Sequence, residues 1–417
     1  MLRQFIPNIS HILRALRYPN YRLFFTGQLV SLTGTWMQHL AVGWLVYRLT
    51  NSAFALGLIG FTSQISTFFI SPFAGVWADH WNRRRIVLVT QSLAMLQALV
   101  LAILTLWGNI QIWQIVFLSL LLGVISAFDM PVRQSFTVDL IGNKDDLGNA
   151  IALNSLEFNL ARFMGPPLAG MVVSWSNEGI CFLINALSYL AVVLALIIIR
   201  TNQPIIFNKK NNIFGSMREG FQYTFRTPTM RFILILMGIV SFVVMPYAVL
   251  LPVFARDVLR GDVQTLGYLM GAAGLGALTG AIFLANKRTI RGMGKIIVLA
   301  DILLACGLIM LSLSRTFLIS IGLMLLIGFG IMIHMAASNT VLQTLVDDDK
   351  RGRVMSFYIM AFIGVTPIGN LLAGVIAQRF GAPFTIFCAG FICLSGAVYF
   401  GSKLRSLSLV IDAQAKE

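Results

Sequence analysis

Among the ionisable side chains within long apolar stretches of this 417-residue chain, Asp129, Glu157 and His334 lie at a similar depth. Charged groups at membrane depth are costly, and they usually face a partner or a water-filled cavity. At a rise of 1.5 Å per residue, all three lie roughly 12–14 Å from the cytoplasmic ends of their predicted helices. We predict a layer that binds and releases protons while a cavity opens to each side in turn, because burial favours the neutral form of a carboxyl group.

Each of the two acids, Asp129 and Glu157, has an arginine nearby in the sequence. Asp129 and Arg133 are four residues apart on one helix, so they can simply neutralise each other. Glu157 and Arg162 are five residues apart, about 140° around a helix, so each needs water or a partner on another helix. Asp301 lies one turn inside an apolar stretch, and we expect its side chain to reach the membrane interface. The candidate proton-coupling residues of the central cavity are Asp129, Arg133, Glu157, Arg162 and His334.

A second group of polar and aromatic residues could line a substrate cavity. Its members are Trp36, His39, Tyr247, Asn339 and Gln343. His39 is equally compatible with a satisfied contact between helices, and Asn and Gln side chains often hydrogen-bond one membrane helix to another. We expect this helix-to-helix role more often than ligand contact for Asn154, Asn185, Asn339, Gln343 and Asn370. The 31 Phe and 18 Met residues give an adaptable apolar interior, which favours an amphipathic small molecule as the ligand.

The elements that hold these residues are apolar stretches, each long enough to cross a bilayer. A helix needs about 20 apolar residues to span ~30 Å of hydrocarbon. The chain is 57% hydrophobic and only 11% charged, which excludes an ordinary soluble domain. The twelve predicted spans are residues 21–47, 53–78, 86–107, 112–137, 149–174, 179–199, 231–255, 265–286, 295–314, 317–343, 354–379 and 383–402. We therefore predict an all-α membrane protein with twelve transmembrane helices.

The positions of the basic residues predict how the helices are oriented. Of the 31 lysines and arginines, 25 fall on one side of the membrane if the N-terminus is cytoplasmic. Cytoplasmic loops carry such an excess, and an even number of spans returns the C-terminus to the same side. The net charge of +15 therefore indicates topology and contact with anionic membrane lipid, and nucleic acid is not expected as a partner.

The longest polar interval divides the spans six and six. The predicted regions are an N-terminal six-helix bundle at 1–200, a cytoplasmic linker at 201–230 and a C-terminal six-helix bundle at 231–417. Phe214, Met217, Phe221 and Phe225 recur at helical spacing in the linker, which predicts a short amphipathic helix on the membrane surface. A linker without regular structure is the alternative.

The two halves repeat each other weakly in sequence. With an offset of 204 residues, Gly165 and Gly170 fall on Gly369 and Gly374. Small residues let membrane helices approach closely, and a duplicated six-helix unit can form two bundles around a shared cavity. We expect Gly165 and Gly369 to mark close crossings between the bundles.

The loop after the second span carries a more specific signature. It reads Gly75-Val-Trp-Ala-Asp79-His-Trp-Asn-Arg83-Arg84-Arg85. This resembles the loop signature of the major facilitator superfamily at Gly75, Asp79, Arg83 and Arg84. It departs from that signature at His80 and at Asn82, where Asn can replace a Gly of positive φ. The resemblance implies a gating loop in which Asp79 meets a helix N-terminus or an arginine.

The fifth span carries a second motif, Arg162-Phe-Met-Gly165-Pro166-Pro167-Leu-Ala-Gly170. It resembles the exporter-associated motif of the same superfamily at Gly165, Pro166 and Gly170. A Gly-Pro pair removes one helix hydrogen bond and permits a bend, and a packing kink without directional meaning is the alternative. Ala127-Phe-Asp129-Met-Pro131 and Arg351-Gly-Arg353-Val-Met-Ser356 resemble the branch that includes the enterobactin exporter and macrolide-efflux proteins. The resemblance implies two pseudo-symmetric six-helix bundles of the major facilitator fold.

The sequence contains no Walker loop, zinc-ligand spacing or nucleophile elbow, so we expect no enzyme activity, no cofactor and no metal. The four cysteines lie in apolar spans and are expected to be small buried thiols. These observations predict a monomeric, proton-coupled exporter (an antiporter) in a bacterial inner membrane. Its predicted substrate is an amphipathic small molecule such as a siderophore or a drug. The alternatives are a lysophospholipid flippase and a non-transporting receptor or scaffold with the same fold.

Overall fold

The structure is all-α throughout the part of the chain that it describes. A computed structural model describes residues 13–78, 81–199, 222–287, 292–347 and 350–414. Helices occupy nearly all of these residues, and no strand occurs among them. The predicted all-α fold is therefore confirmed.

Twelve long helical segments can be followed through the described residues. The first six are α1 (Pro19–Thr50), α2 (Ala53–Ala78), α3 (Arg83–Leu106), α4 (Ile112–Asp139), α5 (Leu147–Trp175) and α6 (Glu178–Ile198). The next three are α7 (Pro228–Val258), α8 (Val263–Ala285) and α9 (Met293–Leu313). The last three are α10 (Phe317–Leu345), α11 (Arg351–Ile359 continued by Thr366–Phe380) and α12 (Ala382–Gln414). Short 3₁₀ helices lie at Arg14–Arg17 and Lys144–Asp146.

Ten of the helices in the described residues are long and apolar enough to cross a membrane. The other two long helices are α1 and α5, with 32 and 29 residues. Their length is sufficient, but their polar side chains lower the hydropathy below that of the others. These are the helices that carry Trp36, His39, Glu157 and Arg162. The two long helices of lower hydropathy therefore carry four of the ten residues predicted for proton coupling and substrate binding.

Internal contacts group the chain into two compact units. The first unit comprises residues 1–42 and 66–208, and the second comprises residues 43–65 and 209–417. Each has its own apolar core. In the first unit, the rings of Phe24 and Phe136 meet edge to face at 5.3 Å. In the second, Ile297 and Val341 are fully buried.

The predicted linker falls mostly outside the described residues. Residues 200–221 are not described, and the predicted amphipathic helix lies among them apart from Phe225. Residues 222–226 are helical. The division into two bundles at 201–230 stays a prediction.

Polar side chains define several helix starts. Asn82 accepts a hydrogen bond from the Arg85 backbone N–H at 3.1 Å, and Asn177 accepts one from Ile180 at 3.0 Å. Asn is a favoured N-cap because its side chain satisfies an N–H that the helix leaves unpaired. The predicted positive φ at Asn82 is wrong, since its φ is −66°. Asn82 begins α3 as a cap and does not substitute for a turn glycine.

Two of the repeated glycines mark close crossings within each unit. A Cβ added at Gly165 would lie 2.6 Å from Trp36 Cβ and 2.8 Å from the Thr33 carbonyl oxygen, both on α1. A Cβ at Gly369 would strike the carbonyl oxygen of Phe242 on α7. The prediction that these glycines cross between the two bundles is wrong for their nearest neighbours. Instead, the fifth helix packs on the first and the eleventh on the seventh, which is the same pairing in each half.

The second unit contains π-helical segments in the two helices paired at Gly369. α7 widens at Val240–Val244 and again at Phe254–Val258, and α11 widens at Met360–Gly364. α5 stays α-helical although Pro166 and Pro167 lie inside it. Single π turns occur frequently at functional sites, because they shift side chains and free backbone groups locally.

The four cysteines are all free thiols, as predicted, but they are not all buried. Cys181 and Cys393 are buried, whereas Cys306 is exposed and Cys388 is partly exposed. The expectation of four buried thiols is therefore wrong for Cys306 and Cys388. An exposed thiol on an apolar helix remains compatible with contact to lipid.

Candidate functional site

Asp129 of α4 lies at the centre of a polar cluster in the first unit. Its side chain is 8% exposed. One carboxylate oxygen accepts hydrogen bonds from Thr90 Oγ1 and Gln91 Nε2 of α3, each at 2.8 Å. The other oxygen lies 3.1 Å from Arg133 Nε, one turn along the same helix. Asp129 is therefore held and charge-paired within two adjacent helices.

Glu157 of α5 lies near the same cluster but is held differently. It is 3% exposed, and its Oε1 atom has no hydrogen-bond partner among the described residues. Arg133 is close enough to interact with it electrostatically. Arg133 therefore acts on two acids, Asp129 on its own helix and Glu157 on the next. A buried carboxylate oxygen without a hydrogen bond is costly, because the group has given up its water without a full replacement.

Arg162 finds its partner on α1. Its guanidinium carbon lies 5.7 Å from the centre of the Trp36 ring, which is a cation–π distance. Trp36 also meets Phe158 edge to face at 5.7 Å and His39 at 5.7 Å. His39 and Phe158 are both exposed. The first unit thus offers an aromatic and cationic surface, formed by Trp36, His39, Phe158 and Arg162, on the two polar helices.

Two donors of this site, Thr90 and Gln91, were not predicted from the sequence. They lie next to each other on α3, in the run Val-Leu-Val-Thr-Gln-Ser, and both are buried. Consecutive polar residues inside an apolar span are a signal, because each must find a partner in the bilayer core. The pairing with Asp129 could not be read from one sequence, since it depends on how α3 packs on α4.

The second unit holds a more deeply buried pair. His334 Nδ1 of α10 lies 2.6 Å from Asp301 Oδ1 of α9, and both side chains are 0% exposed. The expectation that Asp301 reaches the membrane interface is wrong, because it points inward to the histidine. Apart from this close charge contact, none of the four polar side-chain atoms of Asp301 and His334 has a hydrogen-bond partner within the described ranges. The Cys393 thiol of α12 donates to the Asp301 backbone carbonyl at 3.7 Å.

The other predicted substrate residues differ in exposure. Asn339 Oδ1 accepts a hydrogen bond from Gln343 Nε2 at 2.9 Å, and Gln343 is exposed. Because both residues lie on α10, this bond does not join two helices, and the expected helix-to-helix role is wrong for this contact. Tyr247 is 4% exposed and offers a ligand no surface in this structure. The predicted helix-to-helix bonds exist for Asn154, Asn185 and Asn370, which bond to Tyr21, Gln38 and the Gly60 carbonyl.

The basic end of the predicted gating loop anchors two helix ends. Arg83 Nη1 lies 2.9 Å from Asp139 Oδ1 at the end of α4. Arg84 donates to the carbonyl oxygens of Leu196 and Ile197, at 2.6 and 2.9 Å, and so caps the end of α6. Asp79 and its predicted contact lie outside the described residues, and Gly75 lies in the helical backbone of α2.

The segment before α1 is fixed by an acid that the sequence analysis did not select. Asp146 is 1% exposed, and it pairs with Arg14 and Arg17 and accepts a hydrogen bond from the Tyr18 hydroxyl at 2.8 Å. Asn149 accepts the Ala15 backbone N–H at 2.8 Å. The Tyr18 hydrogen bond, together with the two guanidinium groups, holds the pKa of Asp146 below its usual value, although burial opposes this.

Gly165 of the Gly-Pro motif lies on the face of α5 that packs on α1. Gly165, Pro166 and Gly170 are all buried. Pro166 lies inside a helix that continues to Trp175. In this structure the motif acts through close packing, with Gly165 providing the space for the α1 backbone.

Comparisons with known proteins agree with this architecture. Residues 11–415 match the family model described as transmembrane secretion effector, one of the major facilitator families. The staphyloferrin A transporter of Staphylococcus aureus is 25% identical over 391 residues, covering 93% of this chain and 98% of that protein. The multidrug efflux pump Tap of Mycolicibacterium fortuitum is 23% identical, and the enterobactin exporter EntS of Salmonella typhimurium is 22% identical. Each of the two matches covers 93% of this chain. They cover 97% of Tap and 92% of EntS.

Solved structures are similar at the level of the fold. A bacterial homologue of the human lysosomal transporter Spinster, crystallised facing inward, superposes with a TM-score of 0.71 at 13% identity. That match covers 95% of this chain and 98% of the other. The nucleoside transporter NupG gives a TM-score of 0.69 at 12% identity, covering 92% and 99%.

Proposed function

Because this chain belongs to the transmembrane secretion effector family of the major facilitator superfamily, we propose that it is a proton-coupled exporter of an amphipathic small molecule. The chain is a multi-pass membrane transport protein, as its helices and its family require. The proposal adds a direction, a coupling ion and a substrate class. It places the protein in a bacterial inner membrane with both termini in the cytoplasm, which the distribution of basic residues supports.

The observation that carries the coupling proposal is the state of Glu157. Its side chain is 3% exposed and its Oε1 has no hydrogen-bond partner in the described parts of the chain. Arg133 cannot fully compensate it, because the same guanidinium is already paired with Asp129. Glu157 should therefore bind a proton when buried and release it when water reaches it, which is the chemistry that couples a proton to a conformational cycle.

The direction and the substrate class rest on different observations. Relatives that cover nearly the whole chain are named as exporters or efflux pumps of siderophores, macrolides and drugs. The surface of Trp36, His39, Phe158 and Arg162 combines aromatic rings with a cation, with His39 and Phe158 exposed and Trp36 and Arg162 half-buried. Such a surface suits an amphipathic molecule that carries a carboxylate or another anionic group beside an apolar part.

The test uses the purified full-length protein in proteoliposomes with staphyloferrin A and erythromycin as probes. Transport driven by a pH gradient reports coupling, and exchange of labelled for unlabelled probe at equal pH reports binding and switching alone. We expect Glu157→Gln to reduce gradient-driven transport by about tenfold or more, the rate change that ~1.4 kcal/mol produces. Exchange should fall far less, because glutamine keeps the shape of the side chain.

The matched control is Glu178→Gln. Glu178 is also 3% exposed, but it lies at the start of α6, where it serves the helix N-terminus. Wild-type coupling in the Glu157→Gln variant would contradict the coupling role. Transport of a labelled lysophospholipid, with neither probe moved, would instead favour a flippase.

A further inference from the structure

We propose that Asp301 and His334 form a second proton-binding site, which gains and loses one proton in each transport cycle. The inference deepens the proposed function and rests on it, because a cycling proton is useful only to a coupled transporter. The site is separate from Glu157, since it lies in the second unit on α9 and α10.

The geometry makes the pair depend on a proton. The two side chains are 2.6 Å apart and both are 0% exposed. With one shared proton the pair is net neutral, either as carboxylate and imidazolium or as carboxylic acid and imidazole. Without that proton it carries one uncompensated negative charge in an apolar slab, which is strongly unfavourable. The closed site therefore retains one proton, and only hydration of the pair lets the proton leave.

The neighbouring groups do not supply a permanent cation in place of that proton. From α12, the Cys393 thiol contacts the Asp301 backbone carbonyl. From α11, the Tyr358 hydroxyl donates to the carbonyl of Met335, the residue after His334, at 3.1 Å. From α7, Arg231 is exposed and lies over the Phe232 ring.

The described side chains of the remaining elements around the pair supply no such cation either. α8, which packs on α10, contains no Asp, Glu, Lys, Arg or His. On α9 itself, Lys295 precedes Asp301 by six residues, which is about 240° around the helix and so on a different face. The Arg351 and Arg353 side chains of α11 lie outside the described residues.

A further polar group lies one turn from the histidine. Ser338 is 0% exposed, and its hydroxyl has no hydrogen-bond partner in the described segments. Residues four apart share a helix face, so Ser338 lies beside His334 toward the end of α10. The exposed Gln343 is five residues further along. These groups mark the direction from which water would reach the pair.

The transport test compares Asp301→Asn, His334→Gln and the double variant in proteoliposomes with erythromycin and staphyloferrin A. Asparagine and glutamine keep the size of each side chain and cannot carry the cycling proton. We expect gradient-driven transport to fall by about tenfold or more in each variant, a change equivalent to ~1.4 kcal/mol, while probe exchange at equal pH falls less than about threefold. Cys306→Ser is the matched control, because Cys306 lies on α9 with an exposed side chain.

The outcomes separate the two proposals. Gradient-driven transport that survives in the Asp301→Asn/His334→Gln variant would overturn this site alone and leave the coupled exporter intact. A wild-type protein that exchanges probe but ignores the pH gradient would overturn the coupled exporter and this site with it.

A second measurement leaves Asp301 and His334 unchanged. Infrared difference spectra of the wild-type protein, labelled with ¹⁵N-histidine and titrated between about pH 5 and 9, should show histidine and carboxyl bands that change together. Bands from a buried histidine that stay constant across this range would also overturn the site. His39→Gln identifies the bands that belong to the other membrane histidine.

Discussion

Two acids of this molecule are buried among apolar helices and are neutralised in different ways. In the first unit, Asp129 pairs with Arg133 and accepts hydrogen bonds from Thr90 and Gln91. In the second unit, Asp301 faces His334 at 2.6 Å, and its second oxygen has no partner among the described residues. The first acid has a cation and two donors, whereas the second has one titratable partner.

The difference matters because arginine and histidine are different cations. Arginine carries its charge permanently, so Arg133 gives Asp129 a fixed cationic partner. The imidazole of His334 carries a charge only when it binds a proton. A buried acid paired with arginine therefore holds neighbouring helices together. A buried acid paired with histidine responds to protons, and Glu157, which has only a share of Arg133, lies between these two cases.

The backbones of the two units differ as well. In the described residues, π-helical segments occur in α7 and α11 of the second unit, whereas α5 of the first unit stays α-helical through two prolines. A π turn leaves backbone carbonyls with weaker partners and allows a helix to change its register locally. The second unit is therefore the part in which we expect helix distortion to accompany the transport cycle.

The largest expected effect comes from removing one member of the buried pair. Asp301→Leu should lower the free energy of unfolding by about 3–5 kcal/mol, because it leaves a buried histidine with no acid partner. Asp301→Leu/His334→Leu should recover most of that loss, since an apolar pair needs no compensation. Unfolding in mixed detergent micelles, followed by helix content, measures both. If the single and double variants were equally unstable, Asp301 and His334 would not stabilise each other.

A smaller effect is expected from removing a donor to Asp129. Thr90→Val should lower the free energy of unfolding by about 1.5–3 kcal/mol, the contribution of a hydrogen bond to a charged group. Thr105→Val is the control, because the Thr105 hydroxyl bonds only the carbonyl of its own helix at Leu101. If the two valine variants were equally stable, Asp129 would not depend on its neutral donors, and the contrast between the two acids would weaken.

Substitutions at Gly165 and Gly369 test whether the two units depend on the same kind of close helix packing. Gly165→Leu should cost about 1–3 kcal/mol through overpacking, because even a Cβ there would meet α1 at 2.6 Å. Gly369→Leu should cost a similar amount in the second unit. Gly148→Leu on α5 is the control, since a Cβ there meets nothing within 4 Å. Thermal unfolding in detergent ranks the three variants by stability. A Gly165→Leu variant as stable as Gly148→Leu would contradict the view that the motif acts through close packing.

The fold was predictable because the strongest signal of a membrane protein, its hydropathy, can be followed along the sequence. Long apolar stretches must be helices in a bilayer, so hydropathy gives the order of ten of the helices directly. The more polar α1 and α5 are recognised by their length and by their place between the other spans. Helical geometry alone predicted that Glu157 and Arg162 do not pair with each other. The partners of these residues could not be predicted, because they depend on which faces of different helices meet.

Asp301 shows this limit most clearly. Its position one turn inside α9 suggested contact with the interface, and only the packing of α10 on α9 brings His334 to it. Asn82 shows a second limit, since cap and turn positions favour the same residue type and only the backbone φ of −66° separates them. Asp146 was overlooked because it lies in a polar loop, where a buried acid has no sequence signature.

The smallest expected effect concerns Asp146, the acid outside the membrane spans, which is held by both an arginine pair and a neutral donor. Its pKa is lower in the folded protein than its usual value of about 4, so its contacts stabilise the folded state above that pH. That contribution should disappear as the pH falls through the folded-state pKa, because the protonated acid no longer pairs with Arg14 and Arg17. The wild-type protein should therefore be more stable than Asp146→Asn at neutral pH and equal to it in strong acid. Asp145→Asn is the control, since the neighbouring Asp145 is exposed and contributes only its backbone carbonyl to Arg14. A difference between the wild-type and Asp146→Asn proteins that stayed constant with pH would mean that the charge of Asp146 is not what fixes the segment before α1.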